Sequence, residues 1–294
     1  MERRKEGKVQ LTILNAMAAK DFEQSLDRHV EWNLKKLDLK DGIFGKGVLD
    51  LTDDDAAKAA KLIAERHLSA YCMSTGLFFD DVEKGEAHFR KEHLGKVARA
   101  VEIARILKPR FIRLLAARSA KRAEFSDGVE YIRKTVPWLI SLYREAVSQI
   151  AAAGFDATIE NEVHGCLLTN ADEVAAFFAE LGKGVKVSFT WDVQNMWQMG
   201  TFPSLAVYKK LKPLMGYFHL KGGMTDGGKE MKWASSLEDA SWPVLETTRQ
   251  VVKDGRSPVI CLNPSHGAPK PGYDYTDVVR RDIDYLRKNV EGIE

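Results

Sequence analysis

The sequence predicts an α/β chain folded as a (β/α)8 barrel, and three observations predict it. Short apolar segments alternate with amphipathic stretches eight times between residues 9 and 289. In the second half, each of four such segments ends in a polar, ligand-type residue just before a turn: Glu160, Asp192, His219 and Asn263. No linker or low-complexity tract divides the 294 residues, of which 45% are hydrophobic, so one domain spanning 1–294 is expected. Barrels of this kind commonly run to about 250 residues or more as one unit.

Residues 9–16 read as the first strand, and residues 21–34 mix acids with apolar positions as a capped helix does. Residues 34–42 alternate and stop at Gly42, which gives the second strand. Thr52 caps a helix running to about residue 67, with Asp53, Asp54 and Asp55 at the positive end of its dipole. Residues 68–79 supply the third strand and its loop. From 93 to 107 apolar residues recur at roughly helical spacing until Pro109 closes the run. The fourth strand is 111–115, and after a polar loop residues 136–153 form a helix with Pro137 in its first turn and Gly154 at its end. Four strand–helix pairs follow. Their helices run from Asn170 to near Gly182, then over 203–212, 242–253 and 276–289.

Composition narrows the function. Lys and Arg number 44 against 42 Asp and Glu, so the bulk charge calls for neither nucleic acid nor an anionic membrane. Cys72, Cys166 and Cys261 lie far apart without CxxC spacing, which argues against a disulfide framework or a cysteine zinc knot. No apolar run nears the ~20 residues of a membrane span, and the basic start, Met1 to Lys5, leads into no signal-length apolar run. A cytoplasmic protein with a small-molecule partner is expected, and homo-oligomerisation stays open.

Strand side chains alternate between faces. Thr158, Glu160 and Glu162 therefore share one face, as do Ser188, Thr190 and Asp192, then Tyr217, His219 and Lys221, then Val259, Cys261 and Asn263. On that parity Glu160, Asp192, His219 and Asn263 converge at the C-terminal ends of the strands, where such barrels place their functional groups. Glu162, about 7 Å beyond Glu160 if the strand persists, supplies a base or stands as a loop carboxylate facing water. His164 and His266 follow two of these strands and either touch substrate or form polar surface. Lys221 points with His219 and suits a carboxylate or phosphate, Asn195 suits a hydroxyl, and Arg113 joins this interior only if its parity allows. Trp191 and Trp242 are assigned to the core. Trp197 and Trp233, expected in loops, wall a pocket or pack. The glycine-rich run from Gly223 to Lys229 nearly spells a phosphate loop, but Glu230 replaces the required Ser or Thr, so a plain loop is expected.

Ile159-Glu160-Asn161, Trp191-Asp192-Val193-Gln194-Asn195, His219-Leu220-Lys221 and Leu262-Asn263-Pro264 come in that order, one to a strand, with Arg280-Arg281-Asp282-Ile283-Asp284-Tyr285-Leu286 after them. In this the chain resembles the xylose isomerase-like TIM-barrel superfamily of sugar phosphate isomerases and epimerases, over about residues 8–290. The resemblance implies a divalent metal held by Glu160, Asp192, His219 and the side chain at 263, acting on a polyhydroxy carbonyl compound. An oxygen-rich set with one imidazole suits Mn2+, Mg2+ or Co2+, with Zn2+ as an alternative. Two positions depart from the pattern. Asn263 stands where the family usually has Glu; an amide offers a metal its carbonyl oxygen but accepts no proton. Gly222 stands where Asp often follows His-x-Lys.

The activity so implied is metal-dependent isomerisation or epimerisation of a sugar, keto-sugar or cyclitol, phosphorylated or not, through an enediolate, with Glu160 as ligand and base. Dehydration through the same enediolate is the nearest alternative, and a non-catalytic sugar-binding barrel with a degenerate site is another. An abasic-site endonuclease on this fold ranks last, because it would want a larger metal cluster and a basic face.

Overall fold

The computed structural model describes residues 8–227, 231–232, 236–265 and 274–294, apart from the Tyr275 side chain. Its eight strands are β1 (Gln10–Thr12), β2 (Lys36–Leu39), β3 (Ser69–Ser74), β4 (Phe111–Leu115), β5 (Asp156–Glu160), β6 (Val187–Asp192), β7 (Met215–Leu220) and β8 (Val259–Leu262). From β2 to β8 each strand lies parallel beside its sequence neighbour, and β1 pairs with β8. A single bridge between Leu14 and Asp38 spans the remaining seam. The result is the expected (β/α)8 TIM barrel, nearly closed, with helices around it.

Strands covered on both faces must be apolar almost throughout, and β4 and β8 are buried at every position. Outward residues such as Ile112, Ile159, Phe218 and Ile260 pack under the helices in the large outer core. Inward residues form a separate cluster, with Tyr71, Cys72, Phe111, Tyr217 and Cys261 filling the lumen. Its rings meet at centroid distances of 5.6 Å for Tyr71–Phe111 and 5.2 Å for Tyr71–Tyr217. One pleat further along the strands stand Ser74, Arg113, His219 and Asn263, two residues beyond Cys72, Phe111, Tyr217 and Cys261 respectively. The barrel thus has an aromatic floor and a polar mouth.

Helices departed from expectation mainly where a short one was added. The 93–107 pattern holds as a helix over Val97–Leu107, and an additional short helix, Glu86–Glu92, precedes it. Within the loop before Trp138–Ala152 lies Gly128–Thr135, started by Asp127, whose carboxylate accepts from the Val129 and Glu130 amides. Asn15–Ala18 forms a short helix where the first strand was expected to continue, and Asp192 starts a further unexpected helix, Val193–Gln198. Side-chain caps of this kind satisfy amides that the first helical turn leaves free. Among the described residues no helix is long and apolar enough to cross a membrane, and all three cysteines are free and buried.

Glu173 ties two barrel segments together. Its buried carboxylate accepts from Arg122 (2.7 Å), from the Gly128 amide (2.8 Å) and from the Thr169 amide (2.7 Å). The Gly128 backbone approaches so closely that a Cβ there would lie 2.0 Å from the Leu167 carbonyl oxygen. Removing one partner of a buried charged pair costs roughly 3–5 kcal/mol. Glu173→Ala is therefore expected to lose stability of that order in urea denaturation; a loss under about 1 kcal/mol would show that the hub is dispensable.

Candidate active site

Three strands deliver the central groups. Glu160 ends β5, Asp192 ends β6 and His219 lies near the end of β7, and one ligand atom from each falls within 4.8 Å of the other two. Each side chain divides its polar atoms between the scaffold and the mouth. Glu160 Oε2 accepts from Arg113 Nη1 at 2.6 Å, while Oε1 lies 2.9 Å from His219 Nδ1. Asp192 Oδ1 accepts from the Gln194 and Asn195 amides at 3.0 and 2.9 Å, while Oδ2 meets Lys221 Nζ at 2.6 Å. The other imidazole nitrogen of His219, Nε2, faces Asp38 Oδ2 at 3.3 Å. All six side chains are almost fully buried.

Burial raises the cost of ionising Glu160, but the Arg113 and His219 charges outweigh it and hold its carboxyl well below the usual range. Burial would likewise strip the proton from His219. Glu160 and Asp38 reverse that and lift the imidazole to about 9. Glu162 moves the other way from Glu160: burial and the neighbouring Glu160 charge push it up.

The structure brings most of the anticipated residues to one cavity of about 590 Å3, lined by Glu160, Glu162, Asp192, His219, Lys221 and Asn263 among others. β5 stops at Glu160, yet Glu162 still reaches the cavity, where its Oε2 accepts from Val163 N at 3.2 Å and Asn195 Nδ2 at 3.3 Å. Asn195 also accepts from Lys221 Nζ at 3.4 Å. His164 is exposed at the rim. Trp197 is a correction: it belongs to the helix Val193–Gln198, is buried at 3% exposure against Phe202 and does not line the cavity. His266 and Trp233 lie outside the described residues, as do Gly228, Lys229 and Glu230 of the glycine-rich run. Asn263 reaches the cavity, but its Oδ1 accepts from the Leu14 amide at 3.1 Å and from Cys261 Sγ at 3.4 Å. Because a backbone N–H must find an oxygen, Nδ2 is the atom left over, and it has no partner among the described residues. The carbonyl expected to join the metal ligands is turned toward the barrel wall.

Asp38 and Ser74 were missed, and Tyr217, placed on the His219 face, was given no role. The Ser74 and Tyr217 hydroxyls donate to the two Asp38 oxygens, fixing the carboxylate that orients His219. Acid–histidine support of this kind sets the tautomer and aim of a metal-binding imidazole. An acid flanked by Leu37 and Leu39 near a strand end was the available signal. Arg113, whose parity was unsettled, does point inward.

Asp80, His88 and His93 form a second cluster. There the Phe78 amide donates to His93 Nδ1 at 3.0 Å, so neutral His93 carries its proton on Nε2 and has no bare nitrogen for an ion. Asp80 is also occupied by His88 at 2.7 Å and Lys84 at 2.6 Å.

The fold is that of a (β/α)8 barrel, and solved structures of the same fold include xylose isomerase-like proteins. Among solved structures, a xylose isomerase-like TIM barrel protein from Mycobacterium smegmatis in complex with magnesium is 14% identical over 100% of both chains, with a TM-score of 0.70. An L-ribulose 3-epimerase is 13% identical over 96% of this chain and 95% of its own, with a TM-score of 0.72. The probable 3-DHS dehydratase AsbF of Bacillus anthracis is 11% identical over 95% and 98%, with a TM-score of 0.70. No protein-family model and no curated protein matches the sequence. At these identities the likeness carries the fold.

A histidine with a raised pKa stabilises the folded state fully below its unfolded value near 6.5 and ceases to do so as pH rises through the folded value. NMR titration of the metal-free protein is expected to place the His219 midpoint near 9, with stability falling between about 6.5 and 9. A midpoint at or below 6.5 would show that Glu160 and Asp38 do not hold the proton there.

Proposed function

We propose that the protein is a divalent-metal-dependent isomerase or epimerase of a sugar, keto-sugar or cyclitol. The observation that carries this reading is the set of facing atoms contributed by Glu160, Asp192 and His219. The 2.9 Å between Glu160 Oε1 and His219 Nδ1 matches the edge of an octahedron with bonds of about 2.1 Å, which is about 3.0 Å. Two oxygens and one imidazole nitrogen suit Mg2+, Mn2+ or Co2+. The donor set therefore fits an ion, and Glu160, Asp192 and His219 would hold it. A bound cation supplies Lewis-acid polarisation of a carbonyl and stabilises enediolate charge. Structural likeness to an L-ribulose 3-epimerase and to a magnesium-bound barrel supports the same reading.

The proton is moved by Glu162. Glu160 has both oxygens engaged and a depressed pKa, whereas Glu162 is held only by an amide and Asn195 and has a raised one. A base works best when its pKa lies near the working pH. Glu162 takes the proton from the carbon beside the carbonyl and returns it to the former carbonyl carbon, while the hydroxyl proton passes from one oxygen to the other. Lys221 and Asn195 border its position and orient substrate oxygens, with His164 at the rim.

Asn263 favours dehydration as the second reading. Epimerisation at one carbon wants proton carriers on both faces of the substrate. Across the mouth from Glu162 the described residue is an amide, and one base suffices to remove a proton while a β-hydroxyl departs as water.

Calorimetric titration with Mn2+ is expected to show micromolar binding, which Glu160→Gln weakens at least about tenfold. No Mn2+ binding by the wild-type protein would sink the metal reading. In D2O, the Mn2+ protein should incorporate solvent deuterium into a turned-over ketose. Glu162→Gln should slow that exchange by about a hundredfold or more while changing Mn2+ affinity less than about threefold. Exchange that survives the substitution would remove Glu162 as the base.

A further inference from the structure

We propose a second metal site at the boundary between the aromatic floor and the polar mouth, where Asp38, His219 Nε2 and the Cys261 thiolate bind a thiophilic divalent ion, Zn2+ or Cd2+. The three side chains come from β2, β7 and β8, and one ligand atom from each lies within 4.8 Å of the other two. None of the three is more than 1% exposed. The site is separate from the set of Glu160, Asp192 and His219 and shares only the imidazole with it, Nδ1 facing Glu160 and Nε2 facing Asp38.

The buried Nε2 has no hydrogen-bond partner among the described residues. Asp38 Oδ2 stands 3.3 Å from it, longer than the roughly 2.7–2.9 Å of a charge-assisted hydrogen bond. A Zn2+ ion held about 2.0 Å from both atoms in a tetrahedron would set them about 3.3 Å apart. The Ser74 and Tyr217 hydroxyls fix the Asp38 carboxylate in that position. Cys261 supplies the third donor from one pleat below Asn263, to whose Oδ1 its thiol donates at 3.4 Å. A thiolate beside an imidazole and a carboxylate selects Zn2+ or Cd2+ over Mg2+ and Mn2+. The ion enters through the mouth, whose cavity His219 lines, and displaces the protons of Sγ and Nε2. Asp38 and the thiolate then balance its two positive charges, and the Arg113–Glu160 and Lys221–Asp192 pairs stay as they are. A neutral imidazole has one bare nitrogen, so His219 serves one ion at a time. With Nε2 on the thiophilic ion, Nδ1 keeps its proton for Glu160 Oε1, 2.9 Å away, and an ion between Glu160 and Asp192 loses its imidazole. Filling the lower site therefore inhibits the proposed reaction.

Titration of the reduced, metal-free protein with Cd2+ tests the inference, because thiolate ligation gives Cd2+ an ultraviolet charge-transfer band. The wild-type protein is expected to develop that band, and so is the double variant Cys72→Ser/Cys166→Ser, in which Cys261 is the one thiol left. Cys261→Ser should abolish the band and, by calorimetry, weaken Cd2+ at least about tenfold while leaving Mn2+ affinity within about threefold, which also shows that the variant is folded. Asp38→Asn should weaken Cd2+ at least about tenfold with the thiol still in place. No band from the wild-type protein or the double variant, a band that survives Cys261→Ser, or a Cd2+ affinity untouched by Asp38→Asn overturns the inference. A wild-type protein that gives the band but binds no Mn2+ counts against the catalytic-metal reading and upholds this site.

Discussion

The buried pair between Arg113 and Glu160 sets the terms for everything above it in the barrel. Two charges at 2% exposure and 2.6 Å apart must partner each other, and hydrogen bonds to their other atoms add to that support. Arg113 also donates to the Thr75 carbonyl at 3.1 Å, and Glu160 turns its second oxygen to His219. The histidine in turn is steadied by Asp38, and Asp38 by Ser74 and Tyr217. Contributions from β2, β3, β4, β5 and β7 thus meet in one connected layer. No member can rotate without stranding another, so the atoms facing the mouth are held in place before any ligand arrives.

The layer is rigid because of what lies beneath it. Tyr71, Phe111 and Tyr217 fill the lumen, and two residues beyond Cys72, Phe111 and Tyr217 the pleat brings Ser74, Arg113 and His219 to the same face. Tyr217 belongs to both levels: its ring packs in the floor and its hydroxyl donates to Asp38 at 2.9 Å. An aromatic side chain with a polar tip is suited to such a boundary. Closure of the barrel is tied to the same place. The bridge across the β1–β2 seam joins Leu14 to Asp38, and the Leu14 amide also fixes Asn263.

Much of this was legible because a strand has a period of two. The parity of β5, β6 and β7 was enough to put Glu160, Asp192 and His219 on one face, and the eight apolar segments were enough to suggest the barrel. Asp38 escaped because an acid alternating with Leu37 and Leu39 reads as the polar face of an ordinary strand, and only closure of the barrel turns that face into the buried lumen. The helix containing Trp197 escaped because six residues are too few to display a helical period, and its starting cap is Asp192, read for its charge and not for its local hydrogen bonds. The aim of Asn263 depends on a backbone amide 249 positions away, which no local pattern encodes. Strand faces are local properties; hydrogen-bond orientation at a closed seam is a tertiary one.

Glu160 and Glu162 show how far two residues of the same type can diverge over one step of chain. At the end of β5, Glu160 is flanked by Arg113 and His219, and its carboxyl is driven down into permanent ionisation. Two residues on, the strand has ended, and burial, with the Glu160 charge added to it, drives the same functional group up. The Glu160 charge adds to the burial that raises Glu162, while the Arg113 and Lys221 charges partly pull it back. In the proposed reaction such a pair divides the labour, Glu160 as a fixed anion and Glu162 as a proton carrier. Arg113, which need touch no substrate, thereby bears on the acidity of a residue it does not contact.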